Sequence, residues 1–374
     1  MFTYGELFCG AGGMALGAMQ CGFRHAFAAD FDKDALTTYI ENFVRAGYIS
    51  RQDVTDDVFY VDLNNDAERK RMRKRAKEKH AEIDCLGFGF PCNSFSAVST
   101  QDGIGDGKFG HLYLRALETL VKFNVKMFVA ENVEGILTAN GGEDFSIILK
   151  AMQHPAAAVY GKDGHSYRVF WRVLNAADYG VAQTRRRALF IGIREDIAQL
   201  VESKYELCDD SVFPKTQEGG VFHKTAGAAL MDIPANAANH EIKPLTGPAL
   251  ERIKYIRPWE NAFNADIPDR LKLNVRGAKI SQIYRRLDAD RPAYTVTAAG
   301  GGGTHMYHWS EHRALTNRER ARLQSFPDWF AFHGNYNSVR KQVGMAFPPL
   351  VAKAIFLKVK TILTMAAKAK KRAG

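Results

Sequence analysis

The sequence predicts a doubly wound α/β domain built on a mostly parallel sheet, followed by a second, smaller and less regular domain, and three observations predict it. From residue 2 to about 193, short apolar runs alternate with segments of helical periodicity, the pattern of strands and helices wound into one sheet. The first run passes into a glycine-rich turn and then into a helix beginning near Met14. After Arg194 the periodicity breaks into shorter segments rich in turn residues, among them FPKTQEGG, DIPANAANHEIKPLTGP and IRPWENAFNADIPDR.

Strands are expected at residues 4–8, 26–29, 83–86, 127–130, 169–174 and 189–193, each a short apolar run. Helices are expected between them, for example at 34–46 and 112–123. Residues 64–80 favour a helix by propensity, yet DAERKRMRKRAKEKH has almost no apolar stripe, so a solvated surface helix is expected. The irregular part ends in RPAYTVTAAGGGGTH, and HRALTNRERARLQSF returns to a helical pattern with Thr316 and Glu319 at capping-box spacing. An apolar helix from 350 to about 363 leads into a frayed basic tail. The expected division is a first domain at 1–195, a second at 196–305, a segment at 306–365 returning to the first, and a tail at 366–374.

With 374 residues, 46% hydrophobic and 25% charged, the chain can bury a sizeable core, which excludes wholesale disorder and fibrous repeats. Fifty-one Lys and Arg against 41 Asp and Glu leave a net charge of +10, which favours a polyanionic partner such as nucleic acid. The five cysteines, Cys9, Cys21, Cys85, Cys92 and Cys208, form no C-x-x-C pair, so neither a zinc knuckle nor a redox motif is expected, and a reducing cytoplasm fits best. No basic segment leads into an apolar one at the start, and no apolar stretch approaches about 18 residues, so neither secretion nor a membrane span is expected.

Four motifs carry chemistry. In GELFCGAGGMALGAMQCGF, Gly10, Gly12 and Gly13 permit a tight turn and let a ligand approach the backbone. Gly10, Gly12 and Ala15 also satisfy the dinucleotide fingerprint, with Asp30 where a ribose-binding acid belongs, so a nicotinamide-dependent dehydrogenase stands as a rival reading. DCLGFGFPCNSFSAVS sets Cys92 after a proline at the end of an apolar strand, in polar and irregular surroundings where backbone amides can stabilise a thiolate. VKMFVAENVEGI ends a strand in Glu131, suited to proton transfer or to hydrogen bonding a base edge. In YGVAQTRRRALFIGIR, Gln183, Arg185 and Arg187 alternate into a strand, so the two arginines share a face and Arg186 points away.

Taken in order, these motifs resemble the cytosine-C5 DNA methyltransferase family, and the likeness runs through nearly the whole chain. FCGAGG resembles the family's first motif, GFPCNSFS its catalytic Pro-Cys loop, ENV its catalytic acid motif and Q-x-R-x-R its base-contacting arginine motif. RPAYTVTA resembles the threonine-containing segment of its target recognition domain, RALTNRERARLQSFP the motif that follows, and QVGMAFPPLVAKAI the closing motif. Two departures stand out: Asp30 replaces a glutamate, and Met345 and Phe347 stand where the family usually has asparagine and valine.

The resemblance implies a Rossmann-like catalytic domain at 1–195 and a target recognition domain at 196–305, with S-adenosyl-L-methionine as methyl donor, S-adenosyl-L-homocysteine as its product, and no metal. It implies that Phe8, Gly10, Gly12, Gly13, Asp30, Phe31, Asp53 and Pro91 form the cofactor site. Cys92 then adds to C6 of a flipped cytosine, with Glu131 on N3 and the exocyclic amine, Arg187 on O2, and Arg185 shaping the pocket. Gln183, Tyr284, Arg285, Thr295, Thr297 and Gly301 are the residues expected at DNA. Residues 92–110, with glycines at 103, 105, 107 and 110, are expected to close over the base. Double-stranded DNA is the implied partner of a cytoplasmic, monomeric enzyme of a bacterial restriction-modification system, whose endonuclease it need not touch. The alternative is a tRNA cytosine-C5 methyltransferase using the same pocket.

Overall fold

The computed structural model describes residues 1–91, 111–216, 223–274, 281–298 and 305–373. Among these, seven strands form one sheet: β1 (Thr3–Leu7), β2 (Arg24–Asp30), β3 (Val58–Tyr60), β4 (Cys85–Phe88), β5 (Met127–Val133), β6 (Tyr167–Asn175) and β7 (Arg186–Arg194). Their order is β3-β2-β1-β4-β5-β7-β6. The first five run parallel, whereas β7 is antiparallel to both β5 and β6. The doubly wound, mostly parallel sheet is therefore present. Strand β3 escaped the sequence reading because three residues inside VTDDVFYVDLNN are too few to show a period.

By contact, the chain divides into two units. The first comprises residues 1–175, 186–216 and 351–374; the second comprises 176–185 and 217–350. Residues 306–350 thus fall in the second unit and 196–216 in the first.

The first unit holds the sheet. Every residue of β1 is buried, because helices cover both faces, and Phe27, Phe88, Phe128 and Phe190 pack with no more than trace exposure in one core. The helix Gly13–Gln20 comes so close to the helix Pro349–Ala373 that a Cβ on Gly17 would lie 2.4 Å from that of Ala352. The latter helix continues through the basic tail, correcting the frayed end expected there. Ala, Lys and Arg are strong helix formers, and Lys370, Lys371 and Arg372 in the last turn complement the helix dipole.

The basic helix Asp66–Lys79 also differs from expectation: it buries Arg69, Met72, Arg73 and Ala76. Beside the narrow apolar stripe of Met72 and Ala76 it docks through charge. Arg69 and Arg73 reach Glu118 at 2.8 and 2.7 Å, and all three side chains are nearly inaccessible to water. Burial works against the Glu118 carboxylate, but Arg73 and Arg69 overcome it and hold its pKa below the ordinary value. Glu118→Ala would leave the buried Arg73 guanidinium without its carboxylate and Arg69 with only Asp66 and the Leu63 carbonyl, and is expected to cost about 3–5 kcal/mol of stability, read as a lower midpoint in denaturant.

The second unit is irregular, as the turn-rich sequence predicts. Its apolar cluster contains Ile253, Ile256, Leu271, Ile283, Tyr284 and Tyr307. The helix Asn317–Leu323 begins with the expected capping box: the Thr316 hydroxyl accepts from the Glu319 amide at 3.1 Å, and Glu319 accepts from the Thr316 amide at 2.7 Å.

Candidate active site

The strand order reverses between β1 and β4, and in open α/β sheets ligands sit outside the carboxyl ends of strands at such a switch point. Both the glycine turn after β1 and the Gly89–Pro91 segment after β4 leave the sheet there. Phe8, Gly10 and Gly12 have φ of 55°, 52° and 89°, so the turn winds through left-handed positions that glycine adopts readily and phenylalanine does not. The Gly12 amide donates to the Cys9 carbonyl at 2.9 Å, closing the loop ahead of Gly13 and its helix.

The two glycines with positive φ, Gly10 and Gly12, serve different ends. A Cβ on Gly12 would strike Tyr39 and Phe43 at 2.7 Å, two rings stacked at 4.0 Å. Above Gly10 a Cβ would meet nothing within 4 Å, leaving room for a ligand against the backbone. Asp30, at the end of β2, accepts from the Gly10 amide at 2.7 Å and the Asp32 amide at 2.9 Å. Burial raises its pKa in spite of those amides. Phe31 beside it is exposed. Open backbone, a carboxylate acceptor and an aromatic face suit a ribose and a purine.

Glu6 went unnoticed in the sequence, although a carboxylate inside an apolar strand was the available signal. It is buried under the loop, and burial drives its pKa well above the ordinary range against the opposing pull of Tyr4 and the Ala15 amide.

Asp53 stands elsewhere. It precedes the short helix Val54–Asp57 that enters the amino end of β3, and it pairs with Lys79 at 2.6 Å and the Ser50 hydroxyl at 2.5 Å. Asp57, which also binds Lys79, raises the pKa of His25 at the amino end of β2, although burial dominates and takes His25 down to about 4. Asp53 therefore lies on the opposite edge of the sheet from Asp30, because β2 and β3 are parallel and Asp30 pairs with Tyr60. The acid at the correct edge is Asp62, two residues after β3, whose carboxylate accepts from the Asn64 amide at 2.9 Å. Spacing alone gave no means of telling which end of so short a strand an aspartate occupies.

Glu131 emerges near the end of β5 and pairs with Arg187 at 2.8 Å, both side chains being about one-sixth exposed. Because β7 is antiparallel to β5, its amino end lies at the carboxyl end of β5, where Arg187 pairs in register with Val133. A Cβ on Gly89 would come within 3.2 Å of the Glu131 carboxylate, so the segment leading to Pro91 passes directly over that acid. Asn132 fastens the same segment by donating to the Phe90 carbonyl at 3.3 Å. Half-buried Pro91 is the last described residue before Cys92. Cys92, the 92–110 segment and Gly301 lie outside the described residues.

The other arginine of the motif is engaged with backbone. Arg185 is buried and donates to the carbonyls of Val296, Gly344 and Ala346 at 2.9, 3.1 and 3.2 Å. Gln183 is completely buried; its amide donates to the Leu323 carbonyl and the Gln324 side chain and accepts from the Val296 amide. These contacts make Gln183 a positioning residue rather than a group facing DNA. Tyr284 likewise points into the apolar cluster, stacked on Tyr307 at 5.3 Å. The Thr295 hydroxyl donates to the Thr184 carbonyl at 2.8 Å, and the Thr297 carbonyl accepts from Arg320. Arg285 is half-buried between aromatic rings. Met345 is exposed and Phe347 buried.

Among the described residues, no group of three or more His, Cys, Asp or Glu side chains is placed to hold a metal ion, and no helix is long and apolar enough to cross a membrane.

Comparison with known proteins bears on this geometry. The family described as C-5 cytosine-specific DNA methylase matches residues 2–361. The type II methyltransferase M.BbvI of Brevibacillus brevis is 41% identical over 367 residues, covering 95% of this chain and 89% of that protein. The type II methyltransferase M.NgoFVII of Neisseria gonorrhoeae is 36% identical, covering 92% and 82%. Among solved structures, a protein described as a DNA modification methyltransferase encoded within a prophage (E. coli) superposes with a TM-score of 0.68 at 22% identity, covering 97% of this chain and all of that one.

Proposed function

Since the chain belongs to the C-5 cytosine-specific DNA methylase family and is a DNA (cytosine-5-)-methyltransferase, we propose that it acts on a cytosine flipped out of duplex DNA, with Cys92 as nucleophile and Glu131 and Arg187 gripping the base. The observation that carries this is the Glu131–Arg187 pair, partly buried at the carboxyl edge of the sheet and overlain by the segment that runs into Cys92. A stacked duplex would hide the ring from that edge, so the base must rotate outward.

Carbon 5 of cytosine is a poor nucleophile. Addition of the Cys92 thiolate at C6 turns C5 into the nucleophilic end of an enamine, dividing one hard step into easier ones. Glu131 meets N3 and the exocyclic amine, where charge accumulates during attack, and Arg187 holds O2. Once C5 has taken the methyl group, loss of its proton to a base expels Cys92 and restores the ring. S-adenosyl-L-methionine supplies an electrophilic methyl group on a sulfonium when bound. The glycine turn, Asp30 and Phe31 would hold it, and Asp62 replaces Asp53 in that set.

Asp30→Ala is expected to weaken binding of the methyl donor by about 10- to 100-fold, the worth of one or two hydrogen bonds to a charged acceptor. Asp62→Ala is expected to weaken it less and Asp53→Ala not at all, as measured by titration calorimetry; the reverse order would restore Asp53 to the site.

The names of the relatives support a role in a type II restriction-modification system, with a cognate endonuclease encoded alongside; a single chain suffices to hold one flipped base. Transfer of a labelled methyl group to duplex DNA, and none to tRNA, is the deciding assay. Labelling of tRNA alone would overturn the DNA reading.

A further inference from the structure

Arg285 and Arg286 stand side by side in the second unit and are used in opposite ways. Arg286 is buried, and its guanidinium donates to the carbonyls of His308, Glu311 and Ile253 at 2.6, 2.7 and 3.0 Å. Arg285 makes no side-chain hydrogen bond or ion pair with any other described residue, although its Nε is shut away from water. Its guanidinium instead lies 4.4 Å from the ring centre of Trp259 and 4.8 Å from that of Tyr294.

The fold holds both rings in place. The Ala262 amide donates to the Ile283 carbonyl, and the Arg286 amide to the Glu260 carbonyl, each at 3.0 Å, which lays the Trp259 segment alongside Arg285. The Tyr294 hydroxyl donates to the carbonyl of Arg285 itself at 2.9 Å. Trp259 and Tyr284 have φ of 70° and 53°, a region that bulky side chains occupy only under constraint. Backbone strain of this kind gathers at binding sites, where the surrounding structure enforces it.

A guanidinium is planar, and stacking against aromatic rings fixes the plane while leaving its edge of N–H donors unspent. That edge matches the paired acceptors O6 and N7 that guanine presents in the major groove, and guanine alone among the bases presents two acceptors there. On the reading of the chain as a DNA methyltransferase, we propose that Arg285, steadied by Trp259 and Tyr294, reads a guanine in the recognition sequence. A backbone phosphate accepts a guanidinium fork but can equally be held by the point charge of a lysine, whereas the two acceptors of guanine call for the fork in a fixed plane. Preorganisation of the fork is what base discrimination demands.

The test compares the wild type with Arg285→Ala on a library of random-sequence duplexes supplied with the methyl donor. Methylated cytosines are located by sequencing after chemical conversion. The wild type should yield a consensus containing at least one guanine besides the target cytosine. Arg285→Ala should lose discrimination at one such guanine by about 10- to 100-fold, with the other positions kept. An unchanged consensus in the variant, whether or not the overall rate falls, overturns the proposal, as does a wild-type consensus with no guanine. If Arg285→Ala is inactive, the same library is selected by binding alone. Enrichment of a motif degenerate at one guanine supports the assignment, and enrichment of the full motif or of none overturns it. A wild type that methylates no duplex at all would instead defeat the underlying functional reading.

Discussion

Replacing Cys92 by alanine is expected to lower methyl transfer by about four orders of magnitude or more, since a covalent nucleophile has no substitute in the pathway. The loss should fall on turnover, with binding of duplex DNA retained. A duplex carrying 5-fluorocytosine at the target gives the sharper measurement. Fluorine at C5 cannot leave as a proton does, so the wild type should remain bonded to that strand and migrate with it under denaturing conditions. Cys92→Ala should give no such species. The remaining cysteines supply the control: Cys9, Cys21 and Cys85 are buried and Cys208 is exposed. Burial pushes the thiols of Cys9 and Cys85 well above their ordinary pKa and that of Cys21 up to about 11, so none of these three is a ready thiolate at neutral pH. Cys208→Ser should trap as the wild type does. Trapping that persists in Cys92→Ala would place the nucleophile elsewhere.

Glu131→Gln is expected to reduce the single-turnover rate by about 10²- to 10⁴-fold, the range for loss of a positioned proton-handling group. The amide keeps the size of the side chain and some of its hydrogen bonding, so the affinity for DNA should change far less than the rate. Arg187→Ala removes the partner 2.8 Å away and should also act mainly on rate. Because the two side chains touch each other and are proposed to touch the same ring, the double variant should lose less than the product of the single losses. Full additivity of the two free-energy changes would mean that they do not work as one unit.

The parts legible in the sequence were those that local chemistry defines. An apolar run ending in GAGG must turn and approach a ligand closely, and the structure gives Gly10 and Gly12 positive φ where that reading needs them. Glu131 is placed by the end of an apolar run and Arg187 by alternation into a strand, and the sheet joins them. What spacing could not supply was direction. Gln183 and Tyr284 are expected at DNA and Arg185 in the pocket, yet all three side chains turn inward to backbone carbonyls or apolar neighbours, because a side chain's partner is chosen by segments more than a hundred residues away for Gln183 and Arg185. The position of Asp53 is hidden for a related reason: it depends on a three-residue strand that no periodicity betrays. The basic helix escapes a reading by apolar pattern because its stripe is only Met72 and Ala76 and an Arg–Glu–Arg cluster does much of the docking.

The tight seating of Gly17 against Ala352 has a bearing on biosynthesis. The sheet and its glycine turn lie in the first two hundred residues, but the surface that covers the helix after that turn is provided by residues beyond 350. At a ribosomal pace of about 5–20 residues per second, some 20–70 s separate the emergence of these partners. During that interval the nascent chain carries an uncapped apolar flank on the helix that follows the glycine turn. The first unit is thus completed late in translation, which leaves chaperones that shield apolar surface a defined window in which to act.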